Sequence, residues 1–109
     1  MIISSVNKKQ LQFESKLFKG FADQSRLLIL EILLDEPKTV SNIVKATKLS
    51  QPNVSAHLAC LLECGLVRRE KKGREVLYRI SMDEIGDIIH IARKILRGHS
   101  KEIHNCTRY

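Results

Sequence analysis

The chain has 109 residues, with 19 Lys and Arg against 12 Asp and Glu and a formal net charge of +7. That length allows one domain with a modest core and excludes a second. Hydrophobic residues at 43% and charged residues at 28% describe a folded globular chain,. No apolar run approaches the roughly 20 residues a membrane helix needs. Met1–Val6 lacks the basic start and apolar stretch of an export signal, so a cytoplasmic chain is expected,. A basic surplus on a small domain points to a polyanionic partner and to no membrane. Aromatics at 5% and the absence of Trp argue against a single-strand reader built on stacking platforms,. The three cysteines, Cys60, Cys64 and Cys106, are an odd number and a poor disulfide framework. They read as free thiols or metal ligands, or as small packing residues with an incidental tail thiol.

In chain order, Leu11, Phe13, Leu17, Phe18 and Phe21 recur at mainly three- and four-residue spacings, which predicts an amphipathic helix over 8–21,. Asp23 is placed to cap a second helix, Leu27 to Leu34, apolar almost all round and expected to be the most buried,. Pro37 ends it. A short helix over 40–47 follows, facing Val40, Ile43 and Val44 inward. After Lys48-Leu49, Ser50 caps a further helix that begins with Gln51 and Pro52 and ends at Gly65,. Helix, tight turn and proline-started helix form the layout of a DNA-binding helix-turn-helix.

Winding 51–64 at 100° per residue turns Val54, Leu58 and Leu61 to the core,. Gln51, Pro52, Ser55 and Ala56 fall on the opposite side, suited to the major groove: Gln to adenine, Ala to a thymine methyl. Asn53, His57, Cys60 and Cys64 form a third stripe, in which His57 reads as a structural or phosphate contact. Two β-patterned runs, 66–70 and 75–80, flank Lys71-Lys72-Gly73-Arg74 and predict a hairpin,. After a helix-turn-helix such a hairpin reads as a wing, with Arg68, Arg69, Lys71, Lys72 and Arg74 laid along phosphates. Ser81 and Glu84 match a capping box for the last helix,. There Ile85, Ile88, Ile89, Ala92, Ile95 and Leu96 make a long apolar stripe. With Leu11 and Leu17 of the first helix, it predicts a two-fold homodimer built from both termini. The expected architecture is mainly α with one small β-hairpin, about five helices and a two-stranded wing. Residues 1–98 form the DNA-binding and dimerisation domain, and 99–109 form a tail.

Several blocks resemble the ArsR/SmtB repressors: Ala22-Asp23-Gln24-Ser25-Arg26-Leu27, Ser50-Gln51-Pro52-Asn53-Val54-Ser55-Ala56-His57-Leu58, Glu63-Cys64-Gly65-Leu66-Val67, Gly73-Arg74 and Tyr78-Arg79-Ile80. Gln24 departs from the family's usual proline. The resemblance implies a winged-helix homodimer that holds double-stranded operator DNA until an effector releases it. The Cys-x-Cys site of one branch is absent from 39–44, and the Asp/His pattern of another is unmatched in the last helix. Cys60-Leu61-Leu62-Glu63-Cys64 with Cys106 is similar to the cadmium- and lead-sensing CmtR branch, in which two helix thiolates and a tail thiolate from across the dimer bind one ion. The spacing agrees: cysteines at i and i+4 have Cβ atoms about 5–6 Å apart. Thiolates on a tetrahedral metal with bonds of about 2.3 Å sit roughly 3.8 Å apart, a gap that rotamers close. Such a set favours Cd(II) or Pb(II), with As(III) and Zn(II) as competitors. Two other readings stand beside it: a repressor sensing oxidants or reactive sulfur through the same thiols, and a DNA-binding module with no small effector. No constellation of catalytic groups suggests an enzyme.

Overall fold

The computed structural model describes residues 7–108. The order is α1 (Lys8–Ala22), α2 (Gln24–Leu33), α3 (Val40–Thr47), α4 (Gln51–Glu63), β1 (Val67–Lys72), β2 (Glu75–Ile80) and α5 (Asp83–Asn105). This is the expected fold, five helices and an antiparallel two-stranded hairpin.

Local chemistry sets most boundaries. Asn7, Asp23, Thr39 and Ser50 have extended backbones, and each side chain accepts a hydrogen bond from the N–H three residues on,. The turn between α3 and α4 depends on Lys48 at φ 61°, a left-handed residue that nothing in the sequence flagged,. At the far end of α4, Gly65 N–H donates to Leu62 O at 3.1 Å and Leu66 N–H to Leu61 O at 2.9 Å. With Gly65 at φ 76° this is a Schellman end,.

The core gathers Ile29, Leu30 and Leu33 of α2, Ile43 of α3, Val54, Leu58 and Leu61 of α4, and Leu66, Val67, Ile85 and Ile89. The second helix is less uniformly buried than its composition suggested, because Leu28 stays 41% exposed. Ile85 and Ile89, read as dimer-facing, are buried in the chain's own core. Leu17 is half-buried against that core.

Three further expectations change. Lys71 and Lys72 lie in β1, opposite Val76 and Glu75, so the hairpin tip shrinks to Gly73-Arg74. Gly73 takes φ 61° at the first central position, which suits a two-residue hairpin turn,. Lys38 adds a bridge on the other edge of β2, trading hydrogen bonds of 2.9 and 2.8 Å with Tyr78. Ser81 does not cap α5, whose N-cap is Met82 with no side-chain cap bond. Its hydroxyl donates instead to Gly65 O at 2.7 Å, a carbonyl brought close by the fold, and the helix begins one residue later than the pattern implies. Finally, α5 runs through the segment expected as a tail, with a break in helical geometry at His99 (φ −137°, ψ 23°).

The Asp23 carboxylate is held below its ordinary pKa of 3.8, chiefly by the Arg26 backbone N–H, opposed by desolvation and helped by the Arg26 and His57 charges. A depressed folded value stabilises the fold above the ordinary pKa, and that contribution fades as pH falls through the folded value. Asp23→Ala is expected to cost about 1 kcal/mol at pH 7 in a denaturant titration. Its difference from wild type should shrink on acidification below about pH 4.

Candidate nucleic-acid interface and thiol pair

Burial of Val54, Leu58 and Leu61 fixes the roll of α4. Gln51, Pro52, Asn53, Ser55 and Ala56 are left exposed, together with the cap Ser50, while His57 and Cys60 are half-buried. The groove-side face expected from winding is therefore open.

Side chains alternate across the pleated hairpin. Val67, Arg69 and Lys71 share one face, whose buried end is Val67; Arg68, Glu70 and Lys72 share the other. Arg68, Arg69, Lys71, Lys72 and Arg74 are all exposed. Lys71, Lys72 and Arg74 cluster around the tip, whereas Arg68 stands at the root, directly opposite Arg79. Like charges facing across a ladder are unfavourable unless an anion joins them. The only ion pairs among the described residues are Lys38–Glu36 and Arg93–Glu31, so neither arginine is neutralised there. Arg79 was absent from the cations read off the sequence, and hairpin register is the signal that finds it.

Cys60 lies one turn inside the C-terminal end of α4, and Cys64 is its C-cap. Cys64 is exposed and opens on a groove against Phe13, Lys16 and Leu17 of α1. Burial pushes its thiol above the ordinary value of 9.0, with a smaller push from neighbouring Cys60. Cys60 and Cys64 stand one helical turn apart, with Cys64 N–H donating to Cys60 O at 3.0 Å, a spacing that fits two ligands of a soft ion. Cys106 is half-buried at the opposite extremity of the chain, as the C-cap of α5. Among the described residues of the chain, no three His, Cys, Asp or Glu side chains converge as a metal site. The structure brings Cys60 and Cys64 together and leaves Cys106 apart.

A third surface is apolar. A cleft of about 220 Å³ between α1, α2 and α5 is lined by Phe18, Phe21, Leu27, Ile88, Ala92 and Leu96, with the Glu31–Arg93 ion pair at its edge. On α1 and α5, Leu11, Phe13, Phe18, Ile91, Ile95 and Leu96 stay 42–60% exposed. No described helix is long and apolar enough to cross a membrane.

Fold and surfaces together define a winged helix-turn-helix DNA-binding domain. A model of the bacterial regulatory protein arsR family matches residues 23–69. A probable mercury resistance operon repressor from Streptomyces lividans is 31% identical over 94 residues, 86% of this chain and 75% of that one. The transcriptional activator HlyU from Vibrio cholerae is 35% identical over 79 residues, 72% of this chain and 73% of that one. The solved HlyU structure matches with a TM-score of 0.73 at 32% identity, covering 82% of this chain and 97% of that one. The homodimeric winged helix-turn-helix domain of Mb0332 from Mycobacterium bovis shares the fold, with a TM-score of 0.78 at 23% identity over 95% and 99% of the two chains. The chain belongs to the ArsR family of winged-helix transcriptional regulators, and it is not an enzyme.

Burial is the larger cause of the raised Cys64 pKa and Cys60 adds to it, so Cys60→Ala should lower it. More thiolate at pH 7 means faster alkylation of Cys64 by iodoacetamide. An unchanged or slower rate would show that the thiols do not interact.

Proposed function

We propose that the chain is a metal-responsive repressor. As a homodimer it holds double-stranded operator DNA with α4 and the wing, and it lets go when a soft thiophilic ion engages Cys60, Cys64 and Cys106. The observation that carries this reading is the placement of Cys60 and Cys64, one turn apart, at one end of the helix whose other end presents Gln51, Pro52, Ser55 and Ala56. An ion bound there is felt by the DNA-reading element itself.

Gln51, Ser55 and Ala56 read base edges in the major groove, while Ser50, Pro52, Asn53 and His57 set the approach. Lys71, Lys72 and Arg74 place the wing tip on phosphates, and Arg68 and Arg69 extend the basic strip toward the root. Two copies meet through the open apolar face of α1 and α5. Leu11, Ile88, Ala92, Ile95 and Leu96 are the residues still available for it, with Leu17, Ile85 and Ile89 buttressing them from the core. A two-fold dimer sets the two α4 helices at the spacing of successive half-sites.

The donor set favours Cd(II) or Pb(II), with As(III) and Zn(II) as weaker competitors. Resemblance to a mercury resistance repressor supports a soft ion as effector. Such an ion draws deprotonated thiols together and needs no organic cofactor. Because Cys106 stands apart from the pair in its own protomer, the partner's chain supplies the third sulfur in this account. That crosslink ties the end of each α4 to the dimer helix of the other copy and shifts the reading helices from half-site spacing. A coupling of about 1–3 kcal/mol per site is the usual scale. A regulator of this kind works in the cytoplasm. The one-turn spacing of Cys60 and Cys64 also supports a second reading, oxidation of the two thiols to a disulfide, which mass spectrometry of the oxidised protein distinguishes.

Cd(II) titrated into the protein–operator complex should release the DNA, and unchanged affinity would contradict the proposal. Cys106→Ser should weaken both the thiolate-to-metal absorbance and the release. Arg74→Gln, carried by both copies of the dimer, should lower the slope of log affinity against log salt by about 2 without altering base preference. An unchanged slope would remove the tip from the phosphate contacts.

A further inference from the structure

Ser81 has the sequence signature of a helix cap and does not act as one. It lies between the end of β2 at Ile80 and the start of α5 at Asp83. Its hydroxyl donates to Gly65 O at 2.7 Å, and its N–H donates to Leu66 O at 3.1 Å. Both bonds reach back about 16 residues to the corner joining α4 to β1. Meanwhile α5 has no side-chain cap.

That corner directly follows the thiol pair. Cys64 is the C-cap of α4, Gly65 the left-handed residue after it, and Leu66 the next. The Schellman bonds from Gly65 and Leu66 back into α4 make these residues stiff, so a pull on Cys64 moves the corner as a unit,. On its far side the corner meets α1. A Cβ on Gly20 would lie 2.7 Å from Leu66 Cδ1, leaving no slack between them. Arg26 in turn holds the end of α1, donating to Lys19 O at 2.9 Å and Gly20 O at 3.3 Å.

Resting on the thiol-sensor reading, the geometry points to Ser81 as a positioning residue that couples Cys64 to the wing and to α5. Displacement of the corner passes through two hydrogen bonds into a residue whose neighbours are the last residue of the wing and the first turn of the dimer helix. Without the hydroxyl, one of the two ties is lost and the corner moves with less effect on β2 and α5.

The experiment compares wild type, Ser81→Ala and Ser81→Thr in three measurements. Amide hydrogen exchange on the metal-free protein should be faster at Gly65 and Leu66 in the alanine variant and restored in the threonine one. Thiolate-to-Cd(II) absorbance should be the same in all three. Cd(II) should weaken operator binding about five-fold less in Ser81→Ala than in wild type, with metal-free affinity nearly unchanged and the threonine variant restored. The proposal is overturned if exchange is unaffected, or if the alanine variant keeps the full Cd(II) response. It is also overturned if that variant loses operator binding equally with and without metal, the mark of a merely structural role. Failure of wild type itself to respond to Cd(II) counts against the sensor reading instead.

Discussion

Burial of Val54, Leu58 and Leu61 along one face of α4 is the constraint on which the other features depend. A helix of 13 residues with one face committed to the core has its remaining directions settled by the 100° step between residues. The open polar face at the N-terminal end and the thiol pair at the C-terminal end are consequences of that single commitment. Removing one of these side chains would cost about 2–5 kcal/mol and would loosen the roll of the helix as well as the core.

The same economy appears in the short chain as a whole. On the proposed reading, one folded unit must read DNA, pair with a copy and respond to an effector. Its positive surplus is concentrated on the hairpin that follows α4, and its cysteines sit at the end of α4 and the end of α5. The corner at Gly65 and Leu66 lies where the reading helix, the wing, α1 and the β2–α5 junction meet. Coupling between sites requires a physical element with contacts to both, and this corner is one. The resemblance to a mercury resistance repressor and to the activator HlyU fits a scaffold that serves repression in one relative and activation in another.

What the sequence revealed was what local chemistry decides. Asp23, Ser50 and Gly65 each act within three or four residues of themselves, and all three end or begin helices where expected. The buried face of α4 followed from periodicity alone. What it concealed depends on distant partners. Ser81 matched a local pattern but was claimed by Gly65 O, which only the folded chain brings near. The Lys38–Tyr78 bridge and the Arg68–Arg79 apposition are likewise products of tertiary register. The stripe on α5 read as one face, yet Ile85 and Ile89 go to the core while Ile95 and Leu96 remain open. Periodicity reports that a face is apolar without saying what covers it. Left-handed Lys48 carried no signal, since lysine gains nothing from that conformation,.

The central claim is that the thiols at the end of the DNA-reading helix complete a soft-metal site with the cysteine at the end of α5. X-ray absorption at the metal edge of the Cd(II)-loaded dimer tests it most directly, because it counts the sulfur atoms around the ion. The account predicts three sulfurs per metal in wild type and two in Cys106→Ser. A shell dominated by oxygen and nitrogen, or one unchanged by that substitution, would contradict it.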